Sequence, residues 1–485
     1  MPNQAEALSY AVRPQVVLKY FGDLCFVVVA LALLPAGFAF VSGETATALR
    51  YMLILLALGL LGGGLSRIRA DEDVQPNEGL VLVALVFLTT PFAMTYPLMG
   101  AGLSFPDALF EAVSGVTTTG LSTLRSVDSK PRAFLFARSW MQWYGGLGIL
   151  VFSLALLFRP GTAAKKLSAA QGKEDDLVGG TKAHARRILR VYGLLTAGGI
   201  ALLLVTGTGP FDAVFYTLAS VSTGGFSPDD ASLSGLGGLV PQWSVMVLCL
   251  SCAVPLSFYH FIYRKPRGSP LVGLQAKGLL VAGVLGTLLL ALCLHSLQGA
   301  PWSEVFRVAP VLAFSAQTTA GFSNTDVSSL HDASKFVLIL AMALGGGIGS
   351  TAGGFKILRL LMIISLLRAV IKRTAITRHA VLVPRLQGQK VDQTEINESA
   401  LLALLFTAVI LLSWFSFVMM GYDSFDSLFE VVSATGTVGL SAGITRSDLP
   451  GLLKGVLCAD MLLGRLEILA WLVMVYPKTW IGRRF

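Results

Sequence analysis

The sequence predicts an all-α integral membrane protein in which two leading transmembrane helices precede four tandem repeats around a central pore. Three observations support this fold. The chain is 54% hydrophobic and only 13% charged, whereas soluble domains carry about one-quarter charged residues. Apolar stretches that reach the ~20 residues needed to cross a bilayer recur along the chain. The pattern T-x-G-[LF]-S occurs four times, at residues 118–122, 223–227, 319–323 and 437–441.

Ten apolar stretches predict ten transmembrane helices, near residues 24–42, 50–66, 79–99, 133–158, 188–208, 242–263, 274–297, 335–371, 400–420 and 452–476. The first two form a leading pair within residues 1–72. The other eight flank the glycine patterns in pairs. Each repeat should therefore consist of a helix, a short pore helix, a glycine hairpin and a second helix. The predicted repeats are residues 73–160, 161–265, 266–375 and 376–485.

A short amphipathic run with an acidic residue near its start precedes each glycine pattern. The four acids are Asp107, Asp212, Glu304 and Asp426. An acid in the first turn favours the positive end of a helix. Each run predicts a helix of about ten residues, which is too short to span a bilayer. The third copy departs from the others because it contains Pro310 and has a longer spacing to its glycine.

The glycine hairpins suit the binding of a cation. A cation that leaves water needs oxygen ligands, and backbone carbonyls provide them where the chain directs several toward one axis. Glycine reaches the positive φ angles that this requires, and the preceding Thr adds an oxygen on a stiff side chain. The alternative is that these glycines serve only helix packing. The candidate ligands are Thr118, Thr119, Gly120 and Leu121; Thr223, Gly224, Gly225 and Phe226; Thr319, Ala320, Gly321 and Phe322; and Thr437, Val438, Gly439 and Leu440.

The distribution of Lys and Arg predicts that both termini are cytoplasmic and that the hairpins open outward. Two connecting segments, residues 159–190 and 368–390, are strongly basic, and basic loops stay on the cytoplasmic side. This asymmetry explains the net charge of +9. Nucleic acid is not an expected partner, because no groove-reading motif accompanies the charge. The five Cys and five His show no metal-site or catalytic-triad spacing.

Two further motifs are L-G-G-G-I-G-S-T-A-G-G-F-K-I-L-R at 344–359 and M-L-L-G-R-L-E-I at 461–468. Together with the hairpins and the leading helices, they make the chain similar, almost end to end, to the Trk/Ktr/HKT superfamily of potassium transporters. Within it the chain resembles the bacterial Trk-type potassium-translocating subunit. The resemblance implies a potassium-channel-like, pseudo-fourfold fold in the bacterial inner membrane. It also implies that the backbone carbonyls of the four hairpins form a selectivity filter that binds potassium, with rubidium as a surrogate.

The resemblance implies that the first of these motifs contains a gate: in the family its glycine-rich segment, residues 345–354 here, breaks a helix and forms an intramembrane loop beneath the ring of hairpins. Six glycines in the middle of an apolar helix should break that helix. An arginine deep in an apolar segment should face water or a polar partner, and the resemblance places Arg465 against the loop. The candidate gate residues are Gly345, Gly346, Gly347, Gly349, Ser350, Thr351, Gly353, Gly354 and Arg465, with Lys356 and Arg359 at the cytoplasmic exit.

Other interpretations of these residues are open. The glycine segment could bind phosphate, although it lacks the G-K-[ST] of a phosphate loop. Arg465 could pair with Asp460 or Glu467 for packing alone. Lys356 and Arg359 could be interfacial anchors whose charged ends reach toward water.

The resemblance also implies a homodimer with one pore per subunit and a cytosolic regulatory ring that binds nucleotide. A nucleotide is therefore expected only on a separate partner chain, for which the two basic segments are candidate docking surfaces. Relatives that pass sodium tend to carry serine where this chain has Gly120, which favours potassium. Sodium or mixed cation translocation and ion-coupled symport are the alternatives. A membrane-embedded enzyme or an organic-solute transporter would need a catalytic pair or an inverted repeat, and neither is evident.

Overall fold

The computed structural model describes residues 11–70, 74–157, 177–259, 270–375 and 384–481. In these ranges the chain forms sixteen α-helices and two small strand pairs. The leading pair is α1 (Pro14–Val41) and α2 (Thr45–Leu65). Repeat one contains α3 (Pro76–Leu98), α4 (Phe105–Val116) and α5 (Arg132–Leu157), and repeat two contains α6 (Leu177–Val205), α7 (Pro210–Val221) and α8 (Leu239–Ala253).

Repeats three and four follow the same order with additions. Repeat three contains α9 (Pro270–Gln298), α10 (Trp302–Gln317), α11 (Asp332–Ala343), the strands β1 (Leu344–Gly345) and β2 (Phe355–Lys356), and α12 (Ile357–Arg373). Repeat four contains the strands β3 (Arg385–Leu386) and β4 (Gln389–Lys390), followed by α13 (Gln393–Met419), α14 (Ser424–Thr435), α15 (Gly451–Arg465) and α16 (Leu469–Val475). The predicted all-α fold is thus confirmed.

Six of the described helices are long and apolar enough to cross a membrane, so the chain is a multi-pass membrane protein. They are the two leading helices and the first helix of each repeat: Pro14–Val41, Thr45–Leu65, Pro76–Ala101, Ala185–Val205, Leu271–Gln298 and Gln393–Met419. Large apolar side chains such as Leu34, Leu285 and Leu412 are exposed on them. This exposure fits helices that contact lipid at the periphery, around the buried hairpins.

The second helix of repeat one, α5, is unbroken, as the sequence predicts. The second helices of the other three repeats are shorter or interrupted. The helix α8 ends at Ala253, because Val254 takes an extended conformation ahead of Pro255. The predicted break within the glycine segment separates α11 from α12. The expectation of one helix over residues 452–476 is wrong: Glu467 and Ile468 have φ angles of 56° and 63°, which end α15.

The four pore helices, α4, α7, α10 and α14, bring the hairpins to the centre of the molecule. Three of them have 12 residues and α10 has 16, so all are slightly longer than predicted. Side-chain oxygens of Ser104 and Asp423 accept backbone N–H groups at the starts of α4 and α14, which satisfies donors that a helix start leaves free. The helix α10 continues through Pro310.

Two ion pairs join the second helix of one repeat to the pore helix of the next. Lys335 of α11 lies 2.6 Å from Asp426 of α14, and Lys454 of α15 lies 2.6 Å from Asp107 of α4. Burial alone would raise the pKa of Asp107, but its hydrogen bonds with Lys454 and Ser104 hold that pKa below its usual value. The first-turn acids of repeats four and one therefore also clamp neighbouring repeats together.

We predict that Lys454→Met lowers the thermal stability of the protein, because it leaves the carboxylate of Asp107 without its cation. Breaking a fully buried pair costs about 3–5 kcal/mol. The Asp107 and Lys454 side chains are 17% and 8% exposed, so we expect a smaller loss of roughly 1–3 kcal/mol. Thermal unfolding in detergent measures this loss.

Two control variants test whether the ion pair is responsible. The double variant Asp107→Asn/Lys454→Met should regain part of the loss, and the exposed Lys372→Met should match the wild type. Equal unfolding midpoints in the wild type and the three variants would contradict the clamp.

Candidate functional site

The four glycine hairpins share one unusual backbone conformation. The Thr that opens each hairpin has a positive φ angle: 55° at Thr118, 53° at Thr223, 54° at Thr319 and 51° at Thr437. The glycine two positions later is also positive: 91° at Gly120, 77° at Gly225, 71° at Gly321 and 96° at Gly439. The sequence predicted positive φ at the glycines but missed it at the threonines. A β-branched residue in this region is an outlier that its surroundings must hold in place.

The ends of the pore helices explain why the threonines adopt this conformation. In repeat one the amide of Thr118 donates to the carbonyl of Gly115 at 3.0 Å, and the amide of Thr119 donates to that of Ser114 at 2.9 Å. The other three repeats form both bonds at the equivalent positions. Many helices end with this pair of bonds and place glycine in the left-handed position. Here a threonine takes that place in all four repeats.

The four glycines lie in one closed ring, which we call the glycine ring. A Cβ atom added to Gly120 would overlap the carbonyl oxygen of Gly224 in the next hairpin. The same relation runs from Gly225 to Ala320, from Gly321 to Val438 and from Gly439 to Thr119, which returns to the first repeat. The sequence pattern alone suggested a ring. In the structure every hairpin contacts the next, and a side chain at any of the four glycines would collide with backbone.

The hydroxyl groups of the four threonines differ in what they contact. All four threonines are fully buried. Thr319 Oγ1 accepts a hydrogen bond from the amide of Gly353 at 2.7 Å, and Thr223 Oγ1 donates to the carbonyl of Ser222 at 2.7 Å. The hydroxyls of Thr118 and Thr437 have no hydrogen-bond partner in the part of the chain that the structure describes. The ring thus contains buried oxygen atoms that protein groups leave unpaired.

The serine of each T-x-G-[LF]-S pattern holds its hairpin to a pore helix in three repeats. Ser122 Oγ donates to the buried carboxylate of Glu111 on α4, and Ser441 Oγ donates to that of Glu430 on α14. Ser227 Oγ lies 2.9 Å from the hydroxyl of Tyr216 on α7. Leu312 takes the matching place in repeat three, so that brace is missing there. The sequence showed the shared serine without its role.

A buried arginine that the sequence analysis missed joins the first two hairpins. Arg138 on α5 is 1% exposed, and its Nε lies 2.9 Å from the carboxylate of Glu111. Its guanidinium lies 3.8 Å from the ring centre of Phe226, an attractive cation–π contact. One turn later, Gln142 accepts from the amide of Phe226 and donates to the carbonyl of Gly224. An ionisable residue inside a predicted span was the signal available in the sequence.

The predicted gate loop is a compact segment that packs against α8. Its base is closed by the parallel pairing of β1 with β2. The amide of Gly347 donates to the carbonyl of Ala253 at 2.9 Å, and the amide of Thr351 donates to that of Cys252 at 3.2 Å. A Cβ on Gly346 would overlap Ala352, and a Cβ on Gly345 would overlap the Gly353 carbonyl. The glycines are therefore needed for the tight folding of the loop, in addition to breaking the helix.

The loop also contacts the threonines of the glycine ring. Besides the bond from Gly353 to Thr319, Thr223 Oγ1 lies 3.5 Å from Thr351 Oγ1. A Cβ on Gly353 would overlap Thr437 Oγ1. The loop therefore lies directly against hairpins two, three and four.

Arg465 lies against the loop, as the resemblance implies. It is 2% exposed, and its guanidinium donates to the carbonyl of Thr351 at 2.8 Å and to that of Gly145 at 3.3 Å. Neither pairing considered from the sequence occurs among the described residues. Asp460 accepts from Ser413 instead, and Glu467 pairs with another arginine. Arg465 is the last residue of α15, and its guanidinium joins the loop, through Thr351, to α5, through Gly145.

The two basic residues after the loop also point inward. Lys356 is buried, and its Nζ donates to the carbonyl of Ala352 within the loop. Arg359 on α12 forms the ion pair with Glu467, which links α12 to the break between α15 and α16. These contacts differ from those of interfacial anchors, whose charged ends reach toward water.

Comparison with known proteins identifies the family. The TrkH family model, described as a cation transport protein, matches residues 61–270 and 287–480. The chain belongs to the TrkH family. This result confirms the Trk-type resemblance inferred from the motifs, and it makes the chain a cation transporter rather than an enzyme.

Several relatives of this TrkH-family chain are similar along most of their length. The Trk system potassium uptake protein TrkI of Halomonas elongata is 30% identical over 424 residues, which cover 85% of this chain and 86% of that protein. The Trk system potassium uptake protein TrkH of Escherichia coli is 26% identical and covers 84% of this chain and 87% of that protein. The crystal structure of the potassium transporter TrkH from Vibrio parahaemolyticus superposes with a TM-score of 0.86 at 23% identity, over 97% of this chain and 100% of that one. This chain and the Vibrio parahaemolyticus chain share the fold.

We predict that Gly225→Ala destabilises the protein more than Gly207→Ala does. Both glycines have positive φ angles, 77° and 87°, so both variants should lose about 1–2 kcal/mol to left-handed strain. Only the Cβ at position 225 would overlap a carbonyl oxygen, while the space at Gly207 is open. Overpacking should cost Gly225→Ala a further ~1–3 kcal/mol. Thermal unfolding in detergent compares the two, and equal losses would argue against close contact between hairpins.

Proposed function

We propose that the chain takes up potassium across the bacterial inner membrane, with the glycine ring acting as a carbonyl-lined selectivity filter. One observation carries the proposal: four equivalent hairpins form a closed ring in which each glycine faces the carbonyl group of the next hairpin. The names of the relatives in Halomonas and Escherichia, both potassium uptake proteins, favour potassium as the cation.

The chemistry of the ring suits a cation that has lost its water. Carbonyl and hydroxyl oxygens are the ligands that replace a hydration shell in potassium filters. The pore helices point their carboxyl ends, which carry partial negative charge, toward the ring. The hydroxyls of Thr118 and Thr437 are buried oxygens without a protein partner in the described ranges. Among those ranges no cluster of three or more His, Cys, Asp or Glu could hold a metal, so backbone and hydroxyl oxygens are the proposed ligands.

The Gly120 position is proposed to set the choice between potassium and sodium. A side chain there would overlap the carbonyl of Gly224 and so disturb a proposed ligand of the ion. Sodium translocation, mixed sodium and potassium translocation, and ion-coupled symport are the competing functions. Each predicts a different pattern of competition or gradient dependence in a flux assay.

We predict that the purified chain in liposomes takes up rubidium when the interior is negative, and that potassium blocks this uptake while sodium and lithium do not. In Gly120→Ser the preference for potassium over sodium should fall at least about tenfold, equivalent to ~1.4 kcal/mol, because the carbonyl of Gly224 must move. Gly207→Ser, whose Cβ has open space outside the ring, is the matched control.

Each other outcome of this assay has a defined meaning. Equal block by sodium and potassium in the wild type would contradict potassium selectivity and favour mixed cation transport. Uptake that requires a proton or sodium gradient would establish symport. An absence of uptake with and without the cytosolic partner would contradict the ring as a pore.

We further propose that the glycine segment 345–354 and Arg465 form the gate of this pathway. With the paired strands that close its base, the loop covers residues 344–356. The loop lies against three of the four hairpins, and Arg465 ties it to repeat one through the carbonyl of Gly145. A buried guanidinium repels a cation that passes close to it, since charge interactions are strong where water is excluded. Six of the thirteen loop residues are glycines, which have no side chain, so moving the loop would break few apolar contacts.

We predict that Arg465→Ala increases the rate of rubidium uptake about tenfold, since the loop loses hydrogen bonds from a charged donor, each worth ~1.5–3 kcal/mol. Arg465→Lys, which retains the charge but lacks the paired donors, should lie between the variant and the wild type. The exposed Arg307→Ala on α10 controls for loss of positive charge. Liposome flux at fixed membrane potential measures all three, and wild-type flux in Arg465→Ala would remove this residue from the gate.

Regulation is proposed to come from a cytosolic nucleotide-binding ring on a separate chain, which docks on a homodimer of this subunit. Of the two basic docking segments, 159–190 and 368–390, residues 159–176 and 376–383 lie outside the described ranges. The described parts present exposed Arg186 and Arg190 on α6 and exposed Arg368 and Lys372 on α12. Basic residues gather on the cytoplasmic side of membrane proteins. This supports cytoplasmic termini and a gate loop on the inner side of the ring.

A further inference from the structure

The threonine hydroxyls of the glycine ring contact the loop 344–356 unequally. Thr319 Oγ1 accepts the amide hydrogen of Gly353 at 2.7 Å. Thr223 Oγ1 faces Thr351 Oγ1 at 3.5 Å, and Thr351 is the residue whose carbonyl Arg465 holds. The hydroxyl of Thr118 has no partner among the described residues. The closed loop therefore uses oxygen atoms of the ring as its own hydrogen-bond partners.

We infer that these threonine hydroxyls are both ligands of the innermost cation and the latch that holds the loop closed, so that cation occupancy and loop closure oppose each other. The inference rests on the proposed function, because it assumes that cations reach the ring. It adds a form of regulation that neither the glycine ring nor the loop provides alone. A permeant ion bound in the ring favours opening of the loop beneath it.

The opposition follows from the charges that meet at Thr319 Oγ1. A hydroxyl oxygen has two acceptor lone pairs, and the loop directs the positive hydrogen of the Gly353 amide at one of them. A cation on the same oxygen would lie close to that hydrogen, in a buried site where repulsion is weakly screened. If loop closure weakens cation binding, then by thermodynamic linkage cation binding must weaken loop closure by the same factor.

Two other contacts of the loop, with the hairpin threonine of repeat four and with the end of a pore helix, also hold it closed. Gly353 packs so closely on Thr437 that a Cβ would overlap its hydroxyl oxygen. Thr351 Oγ1 donates to the carbonyl of Val221 at 3.1 Å, at the end of pore helix α7. The loop is thus held by the ends of hairpins two, three and four, while no hydrogen bond joins it to hairpin one among the described residues. This inequality supplies an internal control.

Hydrogen exchange of the loop tests the inference without relying on flux. The full-length protein in nanodiscs is exchanged in potassium chloride or in choline chloride, and peptides covering residues 344–356 are followed by mass spectrometry. In wild type, potassium should accelerate exchange of this peptide by about threefold. Thr319→Val should accelerate it about fivefold in choline, the effect of one lost hydrogen bond, and should be insensitive to potassium. Thr319→Ser, which keeps the hydroxyl, should behave as wild type.

Thr118→Val is the matched control, because Thr118 has the same backbone conformation and burial but its hydroxyl makes no hydrogen bond to the loop. Its loop should exchange as in wild type in choline. Equal acceleration by Thr319→Val and Thr118→Val would overturn the latch, since the effect would then come from general disturbance of the ring. Acceleration by Thr319→Val without any potassium effect in wild type would overturn the opposition to cation binding.

These results separate the inference from the proposed function. If rubidium uptake is potassium-selective but the loop exchanges identically in both salts, the ring conducts and the latch is wrong. If the loop opens with Thr319→Val while no variant or partner yields uptake, the contact exists and the transport proposal fails.

Discussion

The structure depends on four glycine Cα atoms that must carry no side chain, because the carbonyl oxygen of the next hairpin fills the space where Cβ would lie. This contact closes the glycine ring and brings four non-helical backbone segments together in the interior of a membrane protein, where such backbone persists only if it is buried or lines a cavity. The pore helices, their left-handed threonine ends and the serine braces all serve to hold each hairpin within reach of its neighbour.

The backbone of the ring is close to fourfold symmetric, but each junction between repeats is held by different chemistry. Lysine–aspartate pairs join repeat three to four and four to one. Arg138 stacked on Phe226 joins one to two. Backbone bonds, such as the amide of Leu233 to the carbonyl of Ser323 at 2.9 Å, join two to three. Only repeat three contains the loop. Backbone symmetry creates the ring, and unequal side chains make each junction between repeats different.

The repeated part of this design could be predicted from the sequence, and the unequal part could not. Four copies of one pattern at a similar spacing required four similar hairpins, and six glycines in an apolar segment required a break. Neither residue at the break, Glu467 or Ile468, is a glycine or proline that would signal it in the sequence. The break is held instead by long-range contacts, from Arg465 to the loop and from Arg359 to Glu467. Arg138 stood in the sequence as an ionisable residue in an apolar span, but its partners Glu111 and Phe226 lie in distant segments. Pattern and period predict local conformation; pairing across repeats depends on the assembled ring.

The choice of threonine at the left-handed positions argues that its oxygen is needed there. Glycine would fit without strain and is common at such helix ends, whereas each left-handed threonine costs about 1–2 kcal/mol. Two of these hydroxyls, on Thr118 and Thr437, are also buried without a protein partner in the described chain, a further penalty of ~1–3 kcal/mol each. A packing role repays neither cost, since a smaller residue would pack equally well. Under the proposed function, a cation bound to the hydroxyls of Thr118 and Thr437 would recover the second penalty. The loop, which contacts the hydroxyls of Thr319 and Thr223 instead, would then have a closed state whose stability depends on the bound ion.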